Sequence, residues 1–166
     1  MSYGVNLLGN QTSNTSPYVI SSSSHYHNDS YYEPWRAFDA TIMGTWWATD
    51  PSENCISWIK VDFGTGNAKK VTQYRITLFG GQYSCDSWVF EGSNDDANWD
   101  TLDTQIGQKL IVGQTPHAFV NFTSYRYYRL RITVGGDTNF CGLPDLTMHE
   151  GFAARTVSPM IISYND

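Results

Sequence analysis

Apolar and polar residues alternate in short runs along most of the chain. Tyr74, Ile76 and Leu78 are interleaved with Arg75 and Thr77, and Tyr128, Leu130, Ile132 and Val134 with Arg129, Arg131 and Thr133. A period of two sends one set of side chains to a core and the other to water, which predicts half-buried strands. Ile59, Val61 and Phe63 repeat the pattern against Lys60 and Asp62, Trp88 and Phe90 repeat it against Val89 and Glu91, and Leu146 and Met148 close the series. Ala118 to Phe122 reads as one further strand. No segment holds a 3.6-residue period. Turn-forming clusters such as Gly64-Thr65-Gly66-Asn67 and Gly135-Gly136-Asp137 separate the runs. Short strands between such turns define an all-β protein, an antiparallel β-sandwich of jelly-roll type.

Composition narrows the partners. The chain has 166 residues, 40% of them hydrophobic and 15% aromatic, which is enough for the core of one domain. A net charge of −6 argues against nucleic acid and against an anionic membrane, both of which require clustered cations. No apolar run has the length of a membrane span, so no membrane insertion is expected, and the opening Met1-Ser2-Tyr3-Gly4 lacks the basic start and apolar stretch of a signal peptide. Cys55, Cys85 and Cys141 are odd in number, so at most one pair can form a disulfide. The four sequons beginning at Asn10, Asn14, Asn28 and Asn121 read as chance matches.

Four phrases stand in a fixed order: Ala37-Phe38-Asp39, Trp58 to Gly64, Glu91 to Asp95 followed by Trp99, and Tyr125 to Leu130. Together they resemble the discoidin family, also called the coagulation factor type C domain, whose relatives include the family 32 carbohydrate-binding modules. The resemblance covers roughly residues 18 to 151. It implies a galactose-binding-like sandwich that holds a glycan in loops at one end, with Trp58, Trp88, Trp99 and Tyr128 as framework core and Trp35 buried beside them. The chain then divides into a polar head (1–17), the sandwich (18–151) and a tail (152–166). In that tail the apolar run Met160 to Tyr164 is expected to serve oligomerisation or docking to a larger assembly.

Loops carry the chemistry when strand faces are taken up by packing. The first candidate loop brings His25, Tyr26, His27, Tyr31 and Tyr32, the second Tyr83 and Asp86, and the third Asn139 and Phe140. Aromatic rings stack on the apolar face of a pyranose, while imidazole, amide and carboxylate groups bond its hydroxyls. In the resembled modules the last loop often pairs Asn with Phe, as Asn139-Phe140 does, but their basic residue in the middle loop has no equivalent, since Arg75 lies within a strand. Cys85 and Cys141 fall in loops that should be neighbours, so a disulfide and a pair of inert thiols both remain open. The resemblance also implies a structural calcium held by Asp39, Thr45 and Asp145, all hard oxygen donors. Ala40 replaces the usual Gly and Asp145 the usual Glu; a hydrogen-bonded turn without metal is the alternative. His25 and His27 have no further ligands placed by spacing and do not make a zinc site.

No nucleophile elbow, zinc-protease helix or phosphate loop is present, and no enzyme activity is expected. The expected function is attachment to cell-surface glycans without catalysis, on a phage virion surface or outside a cell. The alternatives are a virion decoration protein using the fold for assembly and an accessory domain of a secreted glycoside hydrolase. A homo-oligomer or a subunit of a larger assembly is expected in either case.

Overall fold

In a computed structural model the described residues are 4–41, 44–136 and 138–150. Ten strands form in chain order: β1 Val19–Ser22, β2 Trp47–Ala48, β3 Trp58–Asp62, β4 Gln73–Leu78, β5 Ser87–Ser93, β6 Asp100–Gln105, β7 Gly113–Ala118, β8 Tyr127–Val134, β9 Gly142–Leu143 and β10 Asp145–His149. They pair antiparallel into a five-stranded sheet ordered β1-β3-β8-β5-β6, a three-stranded sheet ordered β10-β4-β7, and the short pair β2-β9. The alternation seen in the sequence is the cause. Tyr128, Leu130 and Ile132 of β8 point inward with Ile59 and Val61 of β3, while Tyr74, Ile76 and Leu78 of β4 meet them from the other sheet. The ring of Tyr74 stacks on Phe90 at 4.4 Å between the layers.

Trp58 and Trp99 differ from the expectation. Both are only half-buried, with the Lys60 ammonium 5.2 Å from the Trp58 ring and the Arg129 guanidinium 4.0 Å from that of Trp99. Trp58 shares its parity with Lys60 and Asp62, so a period of two puts it on the wet face of β3. Trp88 and Tyr128 are fully buried as expected, and Trp35 is half-buried against the edge of the core. The strand expected through Phe122 stops at Ala118. Asn121 is buried in a turn, its amide donating to the Val71 carbonyl at 2.8 Å and its Oδ1 accepting from the Thr123 N–H.

The head is not separate from the sandwich. Leu8 enters the core, the Leu7 N–H donates to the Met148 carbonyl at 2.8 Å, and Asn6 bridges His149. Because β10 runs antiparallel to β4, with Asp145 opposite Thr77 and His149 opposite Gln73, this contact lies at the start of β4, one strand length from its Leu78 end. The tail, residues 152–166, lies outside the described residues.

Candidate functional site

At the Leu78 end of β4 the chain makes two turns that the sequence dictates. Gly80 and Gly81 both hold φ of +72°, a conformation costly for other residues, and a single 3-10 turn over Gly81–Tyr83 follows. Phe79 and Tyr83 therefore flank a tight reversal. Opposite it, 3-10 turns over Tyr26–Asn28 and Ser30–Tyr32 carry a second group of rings; Asp29 accepts the Tyr31 N–H at 2.8 Å and the His27 N–H donates to Asp50 at 3.0 Å. Trp46 and Trp47 split between the two environments. Trp47, in β2 opposite Leu143, is fully buried, which leaves its neighbour on the other side of the strand.

These segments enclose a cavity of about 450 Å³ lined by Tyr26, Tyr32, Trp46, Phe79, Tyr83 and Phe140, with Gly80 and Gly142 between them. The rings form a chain in which each touches the next. Centroid separations are 5.5 Å from Phe79 to Trp46, 5.7 Å to Tyr32, 5.1 Å to Tyr26, 4.9 Å to Phe140 and 5.3 Å to Tyr83. Successive planes are mostly tilted or perpendicular, as walls of a box are, and only Phe140 on Tyr83 is stacked, at 27°. Gly142 permits the closure: a Cβ there would sit 3.0 Å from Phe79 and 3.2 Å from Trp46. The Thr138 hydroxyl lies 3.1 Å from the Gln82 carbonyl and 2.5 Å from that of Phe140, tying the two loops together.

Of the residues expected to bind ligand, Tyr32, Tyr83 and Phe140 line this cavity. His25, His27, Tyr31 and Asn139 stand around it. The His27 ring abuts Tyr26 at 4.2 Å, Tyr31 meets Tyr32 and Trp46 by their edges at 5.2 and 5.8 Å, His25 precedes the first 3-10 turn, and Asn139 is exposed beside Phe140. Asp86 departs from its expected role. Its carboxylate accepts from the Ser87 hydroxyl at 2.9 Å and the Lys109 N–H at 3.4 Å, which ties it to the loop before β7 rather than to the cavity. Tyr26 of the first candidate loop, Trp46 and Phe79 complete the lining, and the last two were not among the expected binders. A doubled Trp ahead of a strand was the available signal, since only one of two adjacent rings can face a core.

Cys55, Cys85 and Cys141 are free and fully buried behind the Phe140 wall. The Cys141 thiol is drawn down by its hydrogen bond with Cys55, yet the bond with Cys85 and burial leave its pKa raised, and contact with Cys141 followed by burial raises that of Cys55. Raised thiols are poor nucleophiles. We predict that a thiol reagent finds none of the three in native protein and all three after denaturation; reaction of the native form would contradict the packing.

Of the expected calcium ligands, Asp39 and Thr45 are in direct contact. Thr45 Oγ1 donates to Asp39, and Asp39 adds its charge to the field at Asp145. Asp145 is buried, its Oδ2 accepting from Gln114 at 3.1 Å and its Oδ1 without a partner. Burial raises its pKa; the Gln114 bond opposes this and the Asp39 charge adds to it, leaving the carboxyl at about 6. An orphaned buried carboxylate oxygen near a second carboxylate and a hydroxyl is a donor set that fits a hard cation. Ala40, in the same turn, holds φ of +61°, which accounts for glycine being usual there. Among the described residues no three acidic, histidine or cysteine side chains gather as a metal cluster, so further ligands would have to be carbonyls.

The F5/8 type C domain matches residues 19–143, and the chain belongs to that family. Among curated proteins none matches it in sequence. Chitosan-binding module 1 from the chitosanase/glucanase of Paenibacillus sp. IK-5 is 22% identical, with a TM-score of 0.66 over 88% of this chain and 99% of that one. The family 32 module of Clostridium perfringens NanJ, solved in complex with galactose, gives 16% identity and a TM-score of 0.65 over 80% and 93% of the two chains. That of Streptococcus pneumoniae EndoD gives 10% and 0.68 over 88% and 99%. At such identities the likeness establishes the fold of a family 32 carbohydrate-binding module.

Proposed function

We propose that this chain is a non-catalytic glycan-binding domain that fixes its parent protein or particle to cell-surface carbohydrate, on a virion or outside a cell, through the ring-lined cavity. One observation carries the reading. Six rings enclose a space whose polar groups, the hydroxyls of Tyr26, Tyr32 and Tyr83 and the indole N–H of Trp46, have no hydrogen-bond partner among the described residues. Rings against which a sugar face can pack, with free donors for a few of its hydroxyls, suit a pyranose seated at the mouth of the cavity. Similar modules have been solved with galactose and with chitotriose, which supports the class and leaves the sugar open.

A glycan array probed with monomeric and multimerised protein tests the reading. Affinity per site is expected in the millimolar to micromolar range, so firm attachment requires several copies. Tyr83→Ala and Phe140→Ala should each remove roughly 1–2 kcal/mol of affinity and leave the melting temperature nearly unchanged, since Tyr83 is exposed and Phe140 only half-buried. Silence in both formats would leave assembly of a larger particle as the better account of the fold.

Calcium is proposed as a structural ion held by Asp39, Thr45 and Asp145. A ligand that binds only the folded chain stabilises it by mass action, so a chelator should lower the melting temperature and added calcium restore it. A melting curve indifferent to both would remove the ion.

A further inference from the structure

The cavity, read above as the ligand site, is unusual for a sugar in what it lacks. None of its lining side chains is a carboxylate, imidazole, amide, ammonium or guanidinium. Three phenol hydroxyls and one indole N–H serve six rings. A whole pyranose sunk among them would leave several hydroxyls without partners, and an unpaired buried hydroxyl is costly. A sugar ring is therefore better served at the rim, with some substituent filling the space between the rings.

The chemistry of that substituent follows by comparing groups of suitable size. A primary ammonium has three N–H donors to satisfy and an acetamide has a donor and an acceptor, so each repeats the difficulty of the hydroxyls. A quaternary ammonium has no donor. Its charge is spread over methyl groups that pack on rings, and the negative faces of aromatic rings attract it. Successive walls set at 88°, 54°, 63° and 64° surround a guest rather than sandwich it. The wider field agrees: the chain carries a net charge of −6, and Asp29 and Asp50 brace the turns that hold Tyr26 and Tyr32. The guanidinium of Arg36 lies 4.6 Å from Trp35 and 5.5 Å from Tyr31, two rings that do not line the cavity.

We propose that the box of Tyr26, Tyr32, Trp46, Phe79, Tyr83 and Phe140 takes a quaternary ammonium group of the choline type, carried as a substituent on the surface glycan. Calorimetric titration of the full chain with tetramethylammonium, phosphocholine and uncharged 3,3-dimethylbutanol tests it, because the last has the shape of choline without the charge. Tetramethylammonium and phosphocholine, each carrying a quaternary nitrogen, should saturate one site at or below about 10 mM and bind at least tenfold tighter than the alcohol. Trp46→Leu should abolish that preference and Trp46→Phe retain it, with both variants melting like the parent protein. Equal binding of the alcohol, or no saturation by either quaternary ammonium compound, would overturn the proposal. Glycan-array binding in the same preparation would then leave the sugar reading standing, whereas an array that is silent as well would remove both. Co-sedimentation with phosphatidylcholine vesicles, with no binding to a phosphocholine-substituted polymer, would assign the group to a lipid and overturn its glycan-borne form.

Discussion

Trp88→Ala is expected to destabilise the protein by about 3–5 kcal/mol, the range for emptying a buried aromatic site. Trp88 is fully buried, and its indole N–H donates to the Tyr74 hydroxyl at 2.8 Å, which in turn donates to Asp103 at 2.7 Å. Truncation leaves both a cavity and a buried phenol oxygen that has lost its donor. Trp88→Phe fills most of the space but still breaks the relay, so it should recover only part of the loss. Urea denaturation of the three proteins separates volume from hydrogen bonding, and a folded Trp88→Ala variant that loses only ligand binding would mean that the core has been misplaced.

The second large effect is expected at Glu91, whose carboxylate is buried on β5 beneath two cations of β8. Arg129 Nε donates to it at 2.6 Å and Arg131 Nη2 at 3.0 Å. Burial pushes its pKa up, but the bonds from Arg131 and Arg129 outweigh this and hold it below the ordinary value of 4.5. Glu91→Gln should cost about 2–3 kcal/mol at neutral pH, less than a fully enclosed pair because both guanidinium groups can still reach water. The sign with pH follows from the lowered value. The stabilisation is complete above about pH 5 and is lost as pH falls through the folded-state pKa, where the carboxylate must protonate. The Gln variant should therefore melt lower than the parent at pH 7 and approach it near pH 3. A constant difference across that range would show that shape, not charge, accounts for the loss.

Strands with clear alternation were legible from the chain alone, because burial of one face leaves a period of two in the residues: β3, β4, β5, β8 and β10 all lie where that pattern is strongest. β6 was not legible. Its residues, Asp100 to Gln105, are almost all polar, and as an edge strand it is specified by hydrogen bonds to β5 rather than by packing. For the site, Tyr32, Tyr83 and Phe140 could be chosen because they sit among turn-forming residues. Phe79 and Trp46 could not: each adjoins a strand, and which way such a ring points depends on the turn and pairing beside it, here Gly80 and the β2-β9 contact. Asp86 shows the converse error, since a carboxylate in a loop serves the loop's own backbone as readily as a ligand.

The meeting of Asn6 with His149 bears on how such a domain can be mounted. Both ends of the described chain leave from the pole of the sandwich remote from the ring-lined cavity. A partner joined directly at Gly4 or Glu150 would therefore stand behind the domain, leaving the cavity facing outward. Copies fixed side by side on a rigid base would present parallel mouths at a spacing set by the base, and the gain in hold then depends on whether that spacing matches the distance between the groups the cavities take up.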